Sequence, residues 1–234
     1  METESQARAS AVSITAIVLA GGRSSRMGQD KALLPIQGVP LLQLVCSIAG
    51  ALCDPVYVVT PWPERYQHLL PASCQFIREV PLPGESTGDV TSSSKVMPLP
   101  HGPLIGFAQG LAQVQTDWVL LLACDLPRLR VEVLQDWADE LESVSEEALA
   151  EGGAKPIALL PRHAKGWEPL CGFYRRSCLP ALTNFINQGG RSFQKWLAQH
   201  PVQLLSLPED DQILFNCNTP TDLDAINCVS TSNL

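Results

Sequence analysis

The segment Leu19 to Leu34, LAGGRSSRMGQDKALL, gathers Gly21, Gly22 and Gly28 with Arg23, Arg26 and Lys31, so three of the sixteen Lys and Arg residues fall within nine positions. Glycines allow close backbone approach and positive φ, which lets successive N–H groups converge on an anion, while Arg and Lys add charge-assisted contacts. The chemistry this suits is a polyphosphate cradle; a solvated basic turn is the plainer alternative. It is not a Walker A loop, because five residues rather than four separate Gly22 from Gly28 and no Lys-Ser/Thr pair follows. The G-x-G-x-x-G fingerprint of dinucleotide folds is absent too.

A second group of residues points to the same chemistry. Asp125 follows the apolar run DWVLLLA and precedes Leu-Pro. A carboxylate emerging from a buried strand needs a partner, and a divalent cation is the natural one where phosphates gather. Capping the helix that begins near Val131 is the competing role, although a cap sits closer to its helix. In FNCNTPTDL, Asn216 and Asn218 share a face if the segment is a strand, and both would suit a hydrated metal or a phosphate. Thr219, Pro220 and Asp222 read as the N-cap, first residue and first-turn acid of a helix. No G-x-S-x-G elbow occurs, and His68, His101, His163 and His200 read as surface histidines, so a catalytic triad is not indicated.

Something must hold these groups at one edge. Short apolar runs at 14–20, 55–60, 75–78, 117–123, 156–161 and 170–174 predict strands, and helical spacing predicts helices at 40–52, 102–114 and 131–144. Strands alternating with helices imply parallel β-α units in an open sheet wound on both faces, where ligands bind beyond the carboxyl ends of the strands. The Gly-rich loop and Asp125 both fall at such ends. Residues 81–100 hold four Pro, two Gly, four Ser and two Thr in twenty positions, which is loop composition: a surface insertion or a flap over the site. The expected organisation is a disordered tail at 1–11, a single domain at 12–228 and a short tail at 229–234.

Composition narrows the partners. With 234 residues, 45% of them hydrophobic, the chain can bury a core, and its net charge of −8 disfavours nucleic acid. No apolar run reaches the roughly 18 residues of a membrane span, and the N-terminus lacks signal-peptide features. Eight cysteines without a C-x-x-C pair, most of them inside apolar runs, read as reduced buried thiols. A soluble cytoplasmic protein is the expectation.

The run LAGGRSSRMGQDKALLPIQGVPLL closely resembles the signature of molybdenum cofactor guanylyltransferases, and GPLIGFAQGL, DWVLLLACDLP, EPLCGFYRRSCLPALTNFINQGGRS and FNCNTPTDL resemble that family's later blocks in the same order. The resemblance implies a Rossmann-like α/β three-layer sandwich with a mostly parallel sheet, of the nucleotide-diphospho-sugar transferase type. It implies transfer of GMP from GTP to molybdenum-molybdopterin, giving the guanine dinucleotide cofactor and pyrophosphate, with Mg2+. By position, Leu19, Ala20, Gly21 and Gly22 would touch the nucleotide, and Lys31 and Arg26 the phosphates. Asp125 would hold the metal with Asn218. Thr60 stands where the family more often has Asn, and Glu79 where Asp is usual; both belong to the nucleotide side. Glu168, Arg191 and Asn218 fall in blocks assigned to the pterin side or metal. Molybdopterin-handling proteins and apo-molybdoenzymes are the implied protein partners. Two other readings remain open: a cytidylyltransferase for the same pterin or another small-metabolite nucleotidyltransferase, and a non-enzymatic GTP-binding assembly factor for molybdoenzymes.

Overall fold

The computed structural model describes residues 12–21, 30–82, 102–150, 155–163, 165–208 and 211–229. The Gly-rich stretch from Gly22 through Gly28, most of the 81–100 loop and both expected tails except Val229 lie outside them.

In chain order the elements are β1 (Ile14–Leu19), a hairpin of β2 (Pro35–Ile36) and β3 (Val39–Pro40), α1 (Leu41–Gly50), β4 (Val56–Thr60), β5 (Cys74–Arg78), α2 (Pro103–Leu111), β6 (Trp118–Ala123) and α3 (Val131–Ala150). They continue with β7 (Ala158–Leu160), a hairpin of β8 (Arg162–His163) and β9 (Gly166–Trp167), β10 (Cys171–Arg175), α4 (Leu179–Asn187), α5 (Phe193–Leu197), β11 (Val202–Leu204) and α6 (Pro220–Val229). A seven-stranded sheet runs β11-β7-β10-β6-β1-β4-β5. β1 pairs in parallel with β4 and β6, and β4 with β5, as alternating strands and helices predict. β10 departs from that pattern and lies antiparallel between β6 and β7. The reason is its short connection: a parallel return needs a crossover of a dozen or more residues, and the polar link from β7 to β10 is a folded hairpin instead.

Both faces of the sheet are covered, which is why its strands read as continuous apolar runs. Alternate residues divide between them. Ala16, Val18, Leu120 and Leu122 pack with Val45 of α1 and Leu134 and Trp137 of α3. Ile17, Val119 and Leu121 pack on the other face with Phe107 of α2, Leu182 of α4 and Trp196 of α5. α2 lies unusually close to the sheet because Gly110 has no side chain; a Cβ there would come within 3.0 Å of Ile17 and Val59. No helix among the described residues is long and apolar enough to cross a membrane.

Local signals set the element ends. The β2–β3 turn uses Gln37 and Gly38, both at positive φ, the backbone of a tight hairpin. Before α6, Thr219 Oγ1 accepts from Asp222 N–H at 3.2 Å and Asp222 Oδ2 accepts from Thr219 N–H at 2.8 Å, so each residue caps the other. A further N–H, from Asn218 at 2.9 Å, joins Thr219 in holding the Asp222 carboxyl below its ordinary value. That contribution is present above the ordinary aspartate pKa and is lost as the pH falls through the lowered one. Thr219→Ala should lower stability by about 1 kcal/mol, read as a drop in Tm by circular dichroism; an unchanged Tm at pH 7 would rule the cap out as a stabilising feature.

Candidate functional site

The parallel core brings the carboxyl ends of β1, β4, β5 and β6 to one edge of the sheet, and the side chains singled out in the sequence cluster there in two groups.

The first group centres on Lys31. Its Nζ donates to Asn218 Oδ1 at 2.6 Å and lies 3.4 Å from Asp125 Oδ2. The Lys31 and Asp125 side chains are 19% and 21% exposed, so they are shielded yet open to a ligand. Each is fixed from behind. Asp125 follows β6, and its carbonyl accepts from Cys217 N–H at 3.1 Å, which sews the 216–218 segment alongside it. Lys31 opens a short 3-10 turn whose N-cap is Asp30. Asp30 Oδ1 accepts from Ala32 N–H at 3.1 Å, and Oδ2 accepts from the Tyr66 hydroxyl at 2.6 Å with Arg65 3.6 Å away. Burial and the Asp30 charge push the Tyr66 hydroxyl up, so it stays a donor. Sequence reasoning missed Asp30 and Tyr66; the only signal was an Asp just before Lys31 at the end of the Gly-rich stretch.

The second group lies toward β5. Glu79 is 7% exposed, and its N–H donates to the Thr60 carbonyl at 2.9 Å. Thr60 Oγ1 accepts from Trp62 N–H at 3.2 Å, and Pro61 is held by Arg78, which donates to its carbonyl at 2.9 Å. A Cβ on Gly21 would stand 3.0 Å from Pro61 Cδ and 3.2 Å from Glu79 Oε2, so Gly21, Thr60 and Glu79 form one compact corner. Gly21 does not adopt the left-handed backbone, which leaves space rather than φ as the reason for glycine. Leu19 and Ala20 extend the sheet: the Leu19 carbonyl accepts from Cys124 N–H, and Ala20 N–H donates to Val59.

Several expectations change. Residues 216–218 are not a strand, and Asn216 turns back to donate to the Leu214 carbonyl at 3.2 Å, while Asn218 meets Lys31. The Asn218 amide oxygen, expected on a metal, is engaged by Lys31. Arg191 donates to the carbonyls of Ile186 and Gly190 at 2.9 and 2.8 Å, tying down the end of α4. Gly22 and Arg26 lie outside the described residues. Burial, with a smaller contribution from the Asp125 charge, raises the Glu168 carboxyl, while the Leu170 N–H and His163 oppose the shift. His163, read from sequence as an ordinary surface histidine, stands 3.6 Å from Glu168. No disulfide links the described cysteines, and burial pushes the Cys124 and Cys171 thiols up.

Among the described residues no three His, Cys, Asp or Glu side chains converge as a metal cage. A carboxylate beside an ammonium suits a magnesium ion that takes most of its ligands from water and phosphate, since Mg2+ is usually held by one or two carboxylates plus substrate. The arrangement can therefore bind and neutralise a polyphosphate, and among the described residues it presents no activated side-chain nucleophile.

Comparison with known proteins agrees. Residues 16–204 match the MobA-like NTP transferase domain family. A "probable molybdenum cofactor guanylyltransferase" of a Nostoc species is 63% identical over 213 residues, covering 91% of this chain and 90% of the relative. A molybdenum cofactor guanylyltransferase of Cupriavidus metallidurans is 31% identical over 212 residues, covering 90% and 92%. In fold, the chain resembles molybdopterin-guanine dinucleotide biosynthesis protein A of Archaeoglobus fulgidus, with TM-score 0.68 and 22% identity over 93% of this chain and 99% of that one. It also resembles a 4-diphosphocytidyl-2C-methyl-D-erythritol synthase of Anaerococcus prevotii, with TM-score 0.63 and 9% identity over 94% and 96%.

Proposed function

The chain belongs to the MobA-like NTP transferase domain family, and from that membership we propose that it transfers GMP from GTP to molybdenum-loaded molybdopterin, releasing pyrophosphate. The observation that carries the reading is the Lys31, Asp125 and Asn218 cluster at the carboxyl edge of the sheet, where a triphosphate and an acceptor phosphate can meet. The terminal phosphate of the pterin attacks the α-phosphorus of GTP in line; a new P–O bond forms, the bond to the β-phosphate bridge breaks, and its electrons leave with pyrophosphate. The protein's work is positioning and charge neutralisation, as in phosphoryl transfer generally.

Lys31 neutralises the outer phosphates and leaving group, aided by Arg26. Asn218 and Asp125 keep the ammonium aimed, and Asp30 fixes the turn that presents it. Leu19, Ala20, Gly21, Gly22, Thr60 and Glu79 form the nucleotide side, and residues 12–228 act as one nucleotidyltransferase domain. Asp125 would hold magnesium, which when bound supplies positive charge to the phosphates. Offering GTP, CTP, ATP and UTP in turn with the molybdenum-loaded pterin tests the reading. Pyrophosphate release with GTP well above the others is expected; preference for CTP would make the chain a cytidylyltransferase, and no release with any nucleotide would leave a GTP-binding assembly factor.

The Gly21 corner should help set that preference. A methyl group there has to displace Glu79 or a Pro61 ring whose carbonyl Arg78 holds. Gly21→Ala should therefore lower the ratio of kcat/KM for GTP to that for CTP about tenfold, equivalent to about 1.4 kcal/mol, because a smaller pyrimidine needs less of the corner. Equal losses for both nucleotides would make Gly21 a backbone element without a part in base choice.

A further inference from the structure

The turn that presents Lys31 is braced from a residue 36 positions away. Asp30, the N-cap of that turn, divides its two carboxylate oxygens: Oδ1 accepts from Ala32 N–H at 3.1 Å within the turn, and Oδ2 reaches the segment after β4. There it accepts from the Tyr66 hydroxyl at 2.6 Å, inside the range of roughly 2.5–2.7 Å for a charge-assisted O–H···O⁻ bond. Tyr66 is 1% exposed and belongs to the core that also buries Ala32 and Leu34, so the hydroxyl projects from a fixed ring. Arg65 lies 3.6 Å from the same Oδ2, but its side chain is 38% exposed and its guanidinium rests 4.4 Å over the Trp62 ring. The 60–66 segment is itself held firmly. Trp62 N–H donates to Thr60 Oγ1 at 3.2 Å, Tyr66 N–H to the Pro63 carbonyl at 3.0 Å, and Arg78 to the Pro61 carbonyl at 2.9 Å and Glu64 at 2.7 Å. One end of this segment is the Thr60 and Pro61 wall of the Gly21 corner, and the other end is Tyr66.

We propose that Tyr66 is a positioning residue for the transfer: through Asp30 its hydroxyl sets the aim of the Lys31 ammonium and ties that aim to the corner formed by Gly21, Thr60 and Glu79. The inference rests on the function proposed above, since it concerns how that site holds its triphosphate. A buried hydroxyl can be satisfied by any carbonyl nearby. This one instead meets the carboxylate whose other oxygen caps the turn directly before Lys31. Without the hydroxyl, Oδ2 keeps only the longer and more exposed approach of Arg65 among the contacts described above, and exposed pairs of that kind hold geometry weakly. The Asp30 side chain would then swing, the turn would loosen, and the Lys31 ammonium would rely on Asn218 at 2.6 Å and Asp125 at 3.4 Å alone for its direction. Small displacements of a group that neutralises phosphate are costly, because the contact depends on an aligned approach.

The test is a calorimetric cycle on the intact chain, with GTP and GMP titrated into wild type, Tyr66→Phe, Lys31→Ala and the double variant. Tyr66→Phe keeps the buried ring and removes only the hydroxyl. It should weaken GTP about threefold to tenfold and GMP less than twofold, because the lost aim matters at the outer phosphates. In the Lys31→Ala background the same substitution should change GTP affinity less than twofold, since no ammonium is left to aim. A tyrosine that served the fold alone would lower affinity equally in both backgrounds. Asp30→Ala removes the acceptor from the other end and should reproduce the GTP loss with GMP spared, which gives a second approach that leaves the ring untouched. Arg65→Gln should change GTP affinity less than twofold. Equal losses of GTP and GMP in Tyr66→Phe, a GTP loss that persists in full beside Lys31→Ala, or an Arg65→Gln loss as large as that of Tyr66→Phe would overturn the assignment. Pyrophosphate release from GTP and molybdopterin, measured separately, judges the proposed reaction. Its absence beside the expected binding pattern would remove the reaction and keep the brace, and release beside equal losses of GTP and GMP in Tyr66→Phe would do the reverse.

Discussion

Asp125→Asn is expected to cut turnover by a hundredfold or more while leaving the fold intact. The substitution keeps size and shape, and the backbone carbonyl that accepts from Cys217 N–H is untouched, so the 216–218 segment keeps its place beside β6. The lost ion pair with Lys31 is partly exposed and stretched to 3.4 Å, and such pairs contribute only about 0–1 kcal/mol to stability. Catalysis is different because the full negative charge serves the reacting phosphates through a bound cation. Removing one such preorganised electrostatic group usually costs about 3 kcal/mol of transition-state stabilisation, which is the hundredfold expected. Steady-state kcat measured across a magnesium titration, with a thermal melt of the same sample, checks both halves. Turnover equal to wild type at saturating magnesium would remove the metal role from Asp125.

The parallel half of the sheet was legible from residue pattern because β1, β4 and β6 are buried on both faces, and continuous runs such as IVL and VLLL leave no other element that could satisfy them. Asp125 stood out for a related reason, as a carboxylate just after such a run at the edge where ligands bind, and Lys31 because it falls with Arg23 and Arg26 in the Gly-rich segment that follows β1. The hairpins at 35–40 and 162–167 were not, since two-residue strands carry no periodicity and depend on turn geometry at Gln37, Gly38 and Gly166. The antiparallel insertion of β10 was hidden as well, because a strand's direction is set by the length of its connection and by its neighbours rather than by its own residues. Within the site, pairings across many positions decided the outcome. Lys31 with Asn218 spans 187 residues and Tyr66 with Asp30 spans 36, and neither partner's identity predicts the other. The same cause hid the Asn216 and Arg191 contacts, whose side chains donate to nearby carbonyls that only the folded backbone brings within reach.

Lys31→Ala should weaken GTP binding by tenfold to a hundredfold and GMP binding by threefold or less. The ammonium is held by Asn218 at 2.6 Å and Asp125 at 3.4 Å, on a turn capped by Asp30, and so arrives with its direction already set. Hydrogen bonds to charged groups are worth about 1.5–3 kcal/mol when neither partner must reorganise, and one such contact to the outer phosphates gives the range stated. GMP lacks those phosphates, so it should sense only the general loss of one positive charge. Asn218→Ala provides an internal control: it removes the 2.6 Å contact that helps aim the lysine but keeps the charge and Asp125. Its effect on GTP should therefore have the same sign and be smaller, about threefold to tenfold, because an ammonium still near the phosphates but free to wander loses orientation rather than attraction. Calorimetric titration of wild type and both variants with GTP and GMP decides the matter. Equal losses for the two nucleotides in Lys31→Ala would move the ammonium from the outer phosphates to the α-phosphate or ribose. An Asn218→Ala loss as large as that of Lys31→Ala would show that the asparagine touches the nucleotide itself.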